Sequence, residues 1–363
     1  MTDAIIQALQ LQGAACERLS SPFNGALCAH ATAALAESDD LEGLFAPWAQ
    51  ADVRELFNDA VVLRLLGALH DLVLSGDDLA LAAAYPRPER PADSALAWRE
   101  ARRALAEHRR RIVGFMSHEP QTNEVRRAIC LVGGFLTVAA ETGLPLRTFE
   151  LGASAGLNLF WDRFHYDFVG GAAWGDPASP VQLDSDWQGS PPPTDAAVRV
   201  IERAACDRRP VRLDDPAQRR RLLAYLWPDQ FERIARIRAA IDLAAASGVT
   251  VEEADAPVWA ALHAAPQPGA ATVLYHSVFW QYVPAQGQAA LRAAVESHAA
   301  AATPGAPFAW LRMEPPPDNM AGMEVRLTLW PGGEDRLLAH VHPHGATVRW
   351  VADQLGSAGQ SLP

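Results

Sequence analysis

The sequence predicts an α/β protein in which an all-helical N-terminal region precedes a mostly parallel sheet with an antiparallel C-terminal hairpin. Before residue 145, apolar residues recur at helical spacing and almost no strand pattern is present. After residue 145, short apolar runs alternate with helical segments, as in parallel sheets with helical crossovers. The last two runs are separated by Pro331-Gly332-Gly333, which is typical of a hairpin turn.

The individual elements follow from the same patterns. The N-terminal helices are predicted over residues 4–19, 25–36, 53–74, 96–115 and 123–142. The strands are predicted over residues 146–151, 198–205, 249–253, 272–276, 307–313, 324–330 and 336–342. Between the strands, helices are predicted over residues 157–164, 216–246 and 287–302. The chain therefore divides into a helical domain over 1–145 and a sheet domain over 146–363, with an insertion at about 164–194.

Composition excludes several classes of protein. The 363 residues include no lysine, so a P-loop and a pyridoxal Schiff base are both excluded. The net charge of −12 disfavours nucleic acid as a partner. No apolar run reaches the roughly 20 residues that span a bilayer, and no signal peptide is recognisable. The four cysteines are scattered, which fits a reduced cytoplasm as the expected location.

A glycine-rich turn, Gly152-Ala153-Ser154-Ala155-Gly156, follows the first predicted strand. Interpreted as G-x-S-x-G, it is a nucleophile elbow that presents Ser154 for acyl transfer. Interpreted as E-x-G-x-S-x-G from Glu150, it resembles the first motif of S-adenosylmethionine-dependent methyltransferases, in which the cofactor approaches the backbone closely. The choice between these two chemistries decides what the protein does.

The surroundings of the turn favour the methyltransferase interpretation. The upstream region is helical and has no His-Gly-Gly stretch, whereas a hydrolase needs earlier strands and an oxyanion loop. Glu150 would also repel an oxyanion that develops beside it.

The resemblance to methyltransferases implies that Glu150 contacts the cationic methionine end of the cofactor. It implies that Gly152 and Gly156 permit the turn and its packing, and that Ser154 and Asn158 lie against the cofactor. Ser154 departs from the pattern, since a second glycine is usual there.

Acidic residues follow the next two strands, at the sheet edge where ligands bind in such folds. Asp207 is the candidate for the ribose hydroxyls. Its distance from Gly152 exceeds the usual roughly 20 residues, so Asp167 is kept as the reserve candidate. Asp255, after the third strand, is the candidate for the adenine.

The fourth strand is followed by polar and aromatic residues. We assign catalytic, substrate-orienting roles to His276, Ser277 and Tyr282, with His276 as general base because histidine ordinarily titrates near neutrality. A satisfied buried histidine is the structural alternative. His340 and His342 share a strand face, but no carboxylate or cysteine lies at a supporting spacing, so no metal site is predicted.

Four segments, at 150–158, 174–180, 226–230 and 276–282, resemble the bacterial domain-of-unknown-function family 2332. The resemblance covers most of the chain. It implies a methyltransferase-like Rossmann domain behind a helical region, and it implies no activity because the family is named for lacking one.

We therefore expect an S-adenosylmethionine-dependent methyltransferase that acts on a small molecule or a protein, with the helical domain selecting the acceptor. Neither a nucleic acid nor a membrane is an expected partner, and the sequence does not indicate the oligomeric state. Two alternatives stay open. One is a serine hydrolase with Ser154 as nucleophile, and the other is a non-catalytic protein that binds a nucleotide or metabolite on a methyltransferase fold.

Overall fold

The computed structural model describes residues 2–37, 42–316 and 322–352. Within these ranges the α-helices are α1 (Thr2–Arg18), α2 (Pro22–Glu37), α3 (Val53–Asn58), α4 (Val61–Ser75), α5 (Leu79–Ala84), α6 (Ser94–Glu107), α7 (Arg109–Met116), α8 (Arg127–Thr142), α9 (Pro216–Ala224), α10 (Phe231–Ser247), α11 (Ala256–His263) and α12 (Ala285–Ala301). The strands are β1 (Leu146–Leu151), β2 (His165–Asp167), β3 (Ala173–Trp174), β4 (Gln182–Leu183), β5 (Asp186–Gln188), β6 (Val200–Asp207), β7 (Glu252–Glu253), β8 (Ala271–Ser277), β9 (Phe308–Glu314), β10 (Met323–Trp330), β11 (Asp335–Val341) and β12 (Thr347–Trp350). None of the described helices combines the length and the apolarity that crossing a bilayer requires.

The chain forms two compact units. The helical unit comprises Met1–Thr122 and Asp214–Arg238, and the sheet unit comprises Asn123–Leu213 and Ala239–Pro363. Helix α8, which the sequence groups with the N-terminal helices, therefore belongs to the sheet unit. The domain boundary at residue 145 stays a prediction.

Helix α4 runs through the core of the helical unit, and most of its side chains are buried. The single helix predicted over 53–74 is two helices, because Ala60 adopts a left-handed φ of 51° and separates α3 from α4. Tyr225 belongs to the same apolar cluster, and its ring lies 5.3 Å from that of Phe115. The core thus draws side chains from two distant stretches of sequence.

His70 on α4 is a buried histidine that we expect to stay neutral well below pH 6. Its Nδ1–H donates to the carbonyls of Leu226 (2.9 Å) and Ala224 (3.2 Å). Burial lowers the pKa of His70 to about 4, because the apolar surroundings disfavour the imidazolium. The unfolded chain takes up this proton near pH 6.5, so stability is lost as the pH falls from there toward 4.

Histidine-selective NMR titration measures the effect. The His70 signal, assigned by its loss in His70→Asn, is expected to hold its neutral shift at pH 5.5. A midpoint near pH 6.5 for that signal would contradict the prediction.

Nine strands form one sheet in the order β5-β12-β11-β10-β9-β8-β1-β6-β7. The last five, from β9 to β7, are mutually parallel. Strands β10 and β11 are antiparallel to both of their neighbours, whereas β12 is antiparallel to β11 and parallel to β5. After β1 the chain continues to β6, which lies on one side of β1, and later to β8, which lies on the other side. The strand order therefore reverses between β1 and β8. The predicted α/β class, with a helical N-terminal region and a mostly parallel sheet that carries antiparallel strands, is confirmed.

The first crossover differs from the prediction. The segment predicted as a helix over 157–164 is a 3-10 segment, Leu157–Arg163, with a kink at Phe160. Arg203 on β6 accounts for the kink, since its guanidinium donates to the carbonyl of Leu159 (3.2 Å) and pairs with Asp162 (2.8 Å). A small sheet of order β3-β2-β4 follows in the predicted insertion. Helices α5 and α11 and strands β5 and β12 are not predicted from the sequence.

Candidate functional site

Three residues with left-handed backbone shape the turn after β1. Gly152, Ser154 and Gly156 have φ angles of 67°, 54° and 71°. Glycine is required at 152, because an added Cβ would overlap the ring of Phe279. Ser154 adopts this conformation at a cost of roughly 1–2 kcal/mol, so its surroundings must hold it there.

The backbone N–H groups at the start of the turn are bonded within the chain. Gly152 and Ala153 donate to the carbonyl of Cys206 at 2.9 and 3.1 Å. The N–H of Ser154 donates to Oδ2 of Asp207 at 2.8 Å. These bonds attach the turn to the end of β6, the strand beside β1.

Asp207 and Asp255, the candidates for ribose and adenine, follow or end neighbouring strands. Asp207 ends β6, and its Oδ1 accepts from the N–H of Arg209 at 2.8 Å, so both of its oxygens are engaged with backbone. Asp255 follows β7 and is exposed at the first position before α11, where its side chain makes no capping hydrogen bond. The reserve candidate Asp167 lies on β2 in the small sheet and is 62% exposed. Of these acids, Asp207 is the one on the strand paired with β1.

Glu150 is a carboxyl group buried near the end of β1, with 3% of its surface exposed. The hydroxyl of Tyr275 lies 3.4 Å from Oε2 of Glu150 and 3.4 Å from the carbonyl of Asn158. Burial raises the pKa of Glu150 to about 8, against the opposing effects of the Tyr275 hydroxyl and the charge of Arg127. Near pH 7 this carboxyl is mostly neutral, and a group that titrates close to neutrality suits acid–base chemistry.

The segment before α8 also contacts this edge of the sheet. The sequence predicts a helix from residue 123, but α8 begins at Arg127, and Asn123 and Glu124 are buried in the preceding loop. Oδ1 of Asn123 accepts from the N–H of Leu157 at 2.9 Å, and Nδ2 of Asn158 donates to the carbonyl of Glu124 at 3.3 Å. The N–H group of Leu157 therefore has a partner inside the chain.

Arg127 places a positive charge among carboxyl groups. It interacts electrostatically with Glu124, Glu150 and Glu314, and its Nε donates to the carbonyl of Pro343 at 3.0 Å. Burial lowers the pKa of Arg127, although the nearby carboxylates oppose the shift. No local sequence pattern marks Arg127, because an arginine at the start of an apolar helix is indistinguishable from a surface residue.

Two buried polar atoms near the turn have no hydrogen-bond partner, namely Oγ of Ser154 and Oδ1 of Asn158. The two residues are 9% and 2% exposed. Since nearly all buried polar atoms in proteins are bonded, these atoms suit a bound water molecule or a polar group of a ligand.

His276, the predicted general base, is fully buried with both ring nitrogens engaged. Nδ1 lies 2.6 Å from Oε1 of Glu314, and Nε2 accepts from Nε1 of Trp310 at 3.3 Å. The Trp310 contact therefore assigns the neutral tautomer with its proton on Nδ1. Trp280 stacks on the imidazole at 5.9 Å between ring centroids. A role as general base requires one of these partners to move, and that role stays a prediction.

The loop after β8 covers the glycine turn. Val278 has a φ of 52°, a rare conformation for a β-branched residue. The N–H of Phe279 donates to the Glu314 carboxylate at 2.9 and 3.2 Å. The Phe279 ring packs directly on Gly152. The crevice where the strand order reverses, a common ligand position in such sheets, is therefore occupied by this ring.

The remaining predicted residues lie on either side of this loop. Ser277 is the last residue of β8 and is 8% exposed, whereas Tyr282, in the 3-10 turn Trp280–Tyr282, is 72% exposed. The site also contains three polar groups that no local sequence pattern marks, namely Glu124, Arg127 and Glu314.

Residues 7–350 match the family DUF2332, described as an uncharacterized protein conserved in bacteria, and the chain belongs to this family. No curated protein and no solved structure matches the chain.

Proposed function

We propose that this DUF2332 protein is a methyltransferase that binds S-adenosylmethionine at the carboxyl edge of β1 and β6 and acts on a small molecule or a protein. The observation that carries the proposal is the position of the turn. The Gly152–Gly156 turn follows β1 at the point where the strand order reverses, with Glu150 and Asp207 near the ends of adjoining strands. Ligands of open parallel sheets bind at such a point.

The carboxyl groups at this edge of the sheet fit the polar groups of the cofactor, whereas the Phe279 ring covers the turn. Glu150 would hold the methionine end, Asp207 the ribose hydroxyls and Asp255 the adenine. The Asp207 oxygens already accept backbone N–H groups, but each carboxylate oxygen has a second lone pair. The Phe279 ring lies on Gly152, so we propose that this ring moves aside when the ligand binds.

When bound, S-adenosylmethionine supplies an electrophilic methyl group on a sulfonium centre. The chain would contribute positioning, which supplies up to about 7–11 kcal/mol in well-oriented reactions. Glu150 is mostly protonated near neutral pH, so its carboxyl group can donate or accept one hydrogen bond. A neutral carboxyl group also does not repel an uncharged methyl-accepting substrate. Glu314 would hold both the His276 imidazole and the Phe279 backbone, and would thereby set the position of the loop.

Calorimetric titration with S-adenosylmethionine and S-adenosylhomocysteine tests the proposal. Phe279→Ala is expected to raise the affinity at least tenfold, because displacing a packed phenylalanine ring costs roughly 2 kcal/mol. Asp255→Ala is expected to weaken binding several-fold without destabilising α11, since its side chain caps nothing. Phe57→Ala is the matched control for Phe279→Ala, because Phe57 is a phenylalanine of the helical unit that is 53% exposed.

The outcomes separate the possibilities. Absence of heat and of thermal shift at millimolar ligand, in both the natural protein and Phe279→Ala, would overturn the proposal. Binding by Phe279→Ala without methyl transfer to any acceptor tried would favour the non-catalytic binding protein.

One observation favours the hydrolase alternative. Ser154 has a strained left-handed backbone on a strand-to-turn junction, as a nucleophile elbow requires. A serine nucleophile also needs a base within hydrogen-bond reach, and in the described part of the chain its Oγ has no partner. Labelling by a fluorophosphonate probe that disappears in Ser154→Ala would support this alternative.

A further inference from the structure

A separate cluster of potential metal ligands lies in the helical unit, where α5 begins and α6 ends. Asp78, Glu107 and His108 each offer one ligand atom, and these atoms lie within 4.8 Å of one another. Among the residues that the structure describes, this is the one group of three His, Cys, Asp or Glu side chains that meets this geometry.

Asp78 is held in the manner of a ligating carboxylate. Its side chain is 3% exposed. Oδ1 accepts from the N–H of Leu81 at 2.9 Å, which caps α5, and from Nη2 of Arg103 at 2.6 Å. Oδ2 has no hydrogen-bond partner and lies 3.3 Å from Nε2 of His108. The two donors bonded to Oδ1 fix the orientation of the carboxylate and therefore the direction of Oδ2. Hydrogen-bond donors orient metal-bound carboxylates in the same way.

The other two groups leave the cluster open to solvent. The side chains of Glu107 and His108 are 55% and 28% exposed. Arg103 pairs with Glu107 and Glu100 as well as with Asp78, and Arg99 also pairs with Glu100, so two guanidinium groups face three carboxylates. The net charge of these five groups is negative, which favours a further cation.

We propose that Oδ2 of Asp78, a carboxylate oxygen of Glu107 and Nε2 of His108 bind a divalent first-row transition-metal ion, with water completing its coordination. One imidazole and two carboxylates suit Zn²⁺, whereas Ca²⁺ and Mg²⁺ prefer oxygen ligands alone. The site is independent of the proposed methyltransferase function. A bare ion pair between protonated His108 and Asp78 would explain the same contact without a metal.

Titration of the metal-stripped full chain with Zn²⁺, followed by calorimetry, tests the site. We expect one ion per chain. His108→Ala and Glu107→Gln should each lower the affinity at least tenfold, which corresponds to about 1.4 kcal/mol. His118→Ala, which removes an exposed histidine of the same unit outside the cluster, should change the affinity by less than twofold.

A second readout excludes loss of folding as the cause of weak binding. The visible absorption of added Co²⁺ should appear in the natural chain and in His118→Ala, and be lost in His108→Ala at unchanged far-ultraviolet circular dichroism. Absence of saturable Zn²⁺ binding in the natural chain, or binding that His108→Ala and Glu107→Gln leave unchanged, would overturn the proposal in favour of the ion pair.

Discussion

Glu150→Gln is expected to remove a pH dependence of the folding stability that amounts to about 4–5 kcal/mol. The pKa of this buried carboxyl is raised from 4.5 to about 8, chiefly by burial. The folded state holds this proton more tightly than the unfolded chain does. The stabilisation that the bound proton gives the folded state is therefore complete below about pH 4.5 and is lost as the pH rises through 8. Glutamine keeps the shape of the side chain and has no proton to lose.

Urea unfolding at a series of pH values measures this effect. From pH 5 to pH 8.5, Glu150→Gln should gain stability relative to the natural protein. Glu202→Gln is the matched control, because Glu202 is 46% exposed on the neighbouring strand and pairs with Arg147. Parallel stability curves for the natural protein and Glu150→Gln would show that the Glu150 carboxyl is not desolvated in the folded state.

Glu314→Ala is expected to destabilise the sheet unit by about 3–4 kcal/mol. The substitution leaves the buried His276 Nδ1–H and the Phe279 N–H without their acceptor, and each unpaired buried donor costs about 1–3 kcal/mol. Glu314→Gln keeps one acceptor oxygen and should lose about half as much. Chemical unfolding gives the stabilities, and hydrogen exchange at the Phe279 amide should accelerate in Glu314→Ala.

A double-mutant cycle with His276→Ala isolates the pair, and a coupling energy of about 1 kcal/mol or more is expected for residues in direct contact. Glu296→Ala, at an exposed position on α12, should change stability by no more than about 0.5 kcal/mol. If Glu314→Ala costs no more than this control, Glu314 does not hold the histidine and the loop.

The sequence predicts elements whose limits are set locally. β1 has the predicted limits of 146 and 151, because its six buried residues lie between Pro145 and Gly152, which both disfavour a continuing strand. The strand predicted over 198–205 stops two residues before Asp207, which ends β6, because neither proline nor glycine borders Asp207 in the chain. Where a distant residue decides the conformation, the prediction fails, as at Phe160, where Arg203 on another strand takes a carbonyl that an α-helix would use.

The site is predictable to a smaller extent. Glu150 follows from the turn beside it, whereas the partner of His276 is a carboxylate separated by 38 positions along the chain. Packing also decides whether the surface of Gly152 is free, and nothing in the local sequence indicates that Phe279 covers it. Hydrophobic periodicity likewise cannot distinguish a helical Asn123 from one that bonds the backbone of Leu157.

The division of the chain has a consequence for synthesis. Residues 214–238 belong to the helical unit, and Tyr225 from this stretch lies in its apolar cluster. During translation the N-terminal helices therefore leave the ribosome before Ala224 and Tyr225, the last two buried residues of their apolar cluster, and residues 123–213 are made in the interval. An N-terminal fragment that ends at residue 122 would lack these two side chains, so we expect it to expose the apolar surface that they cover.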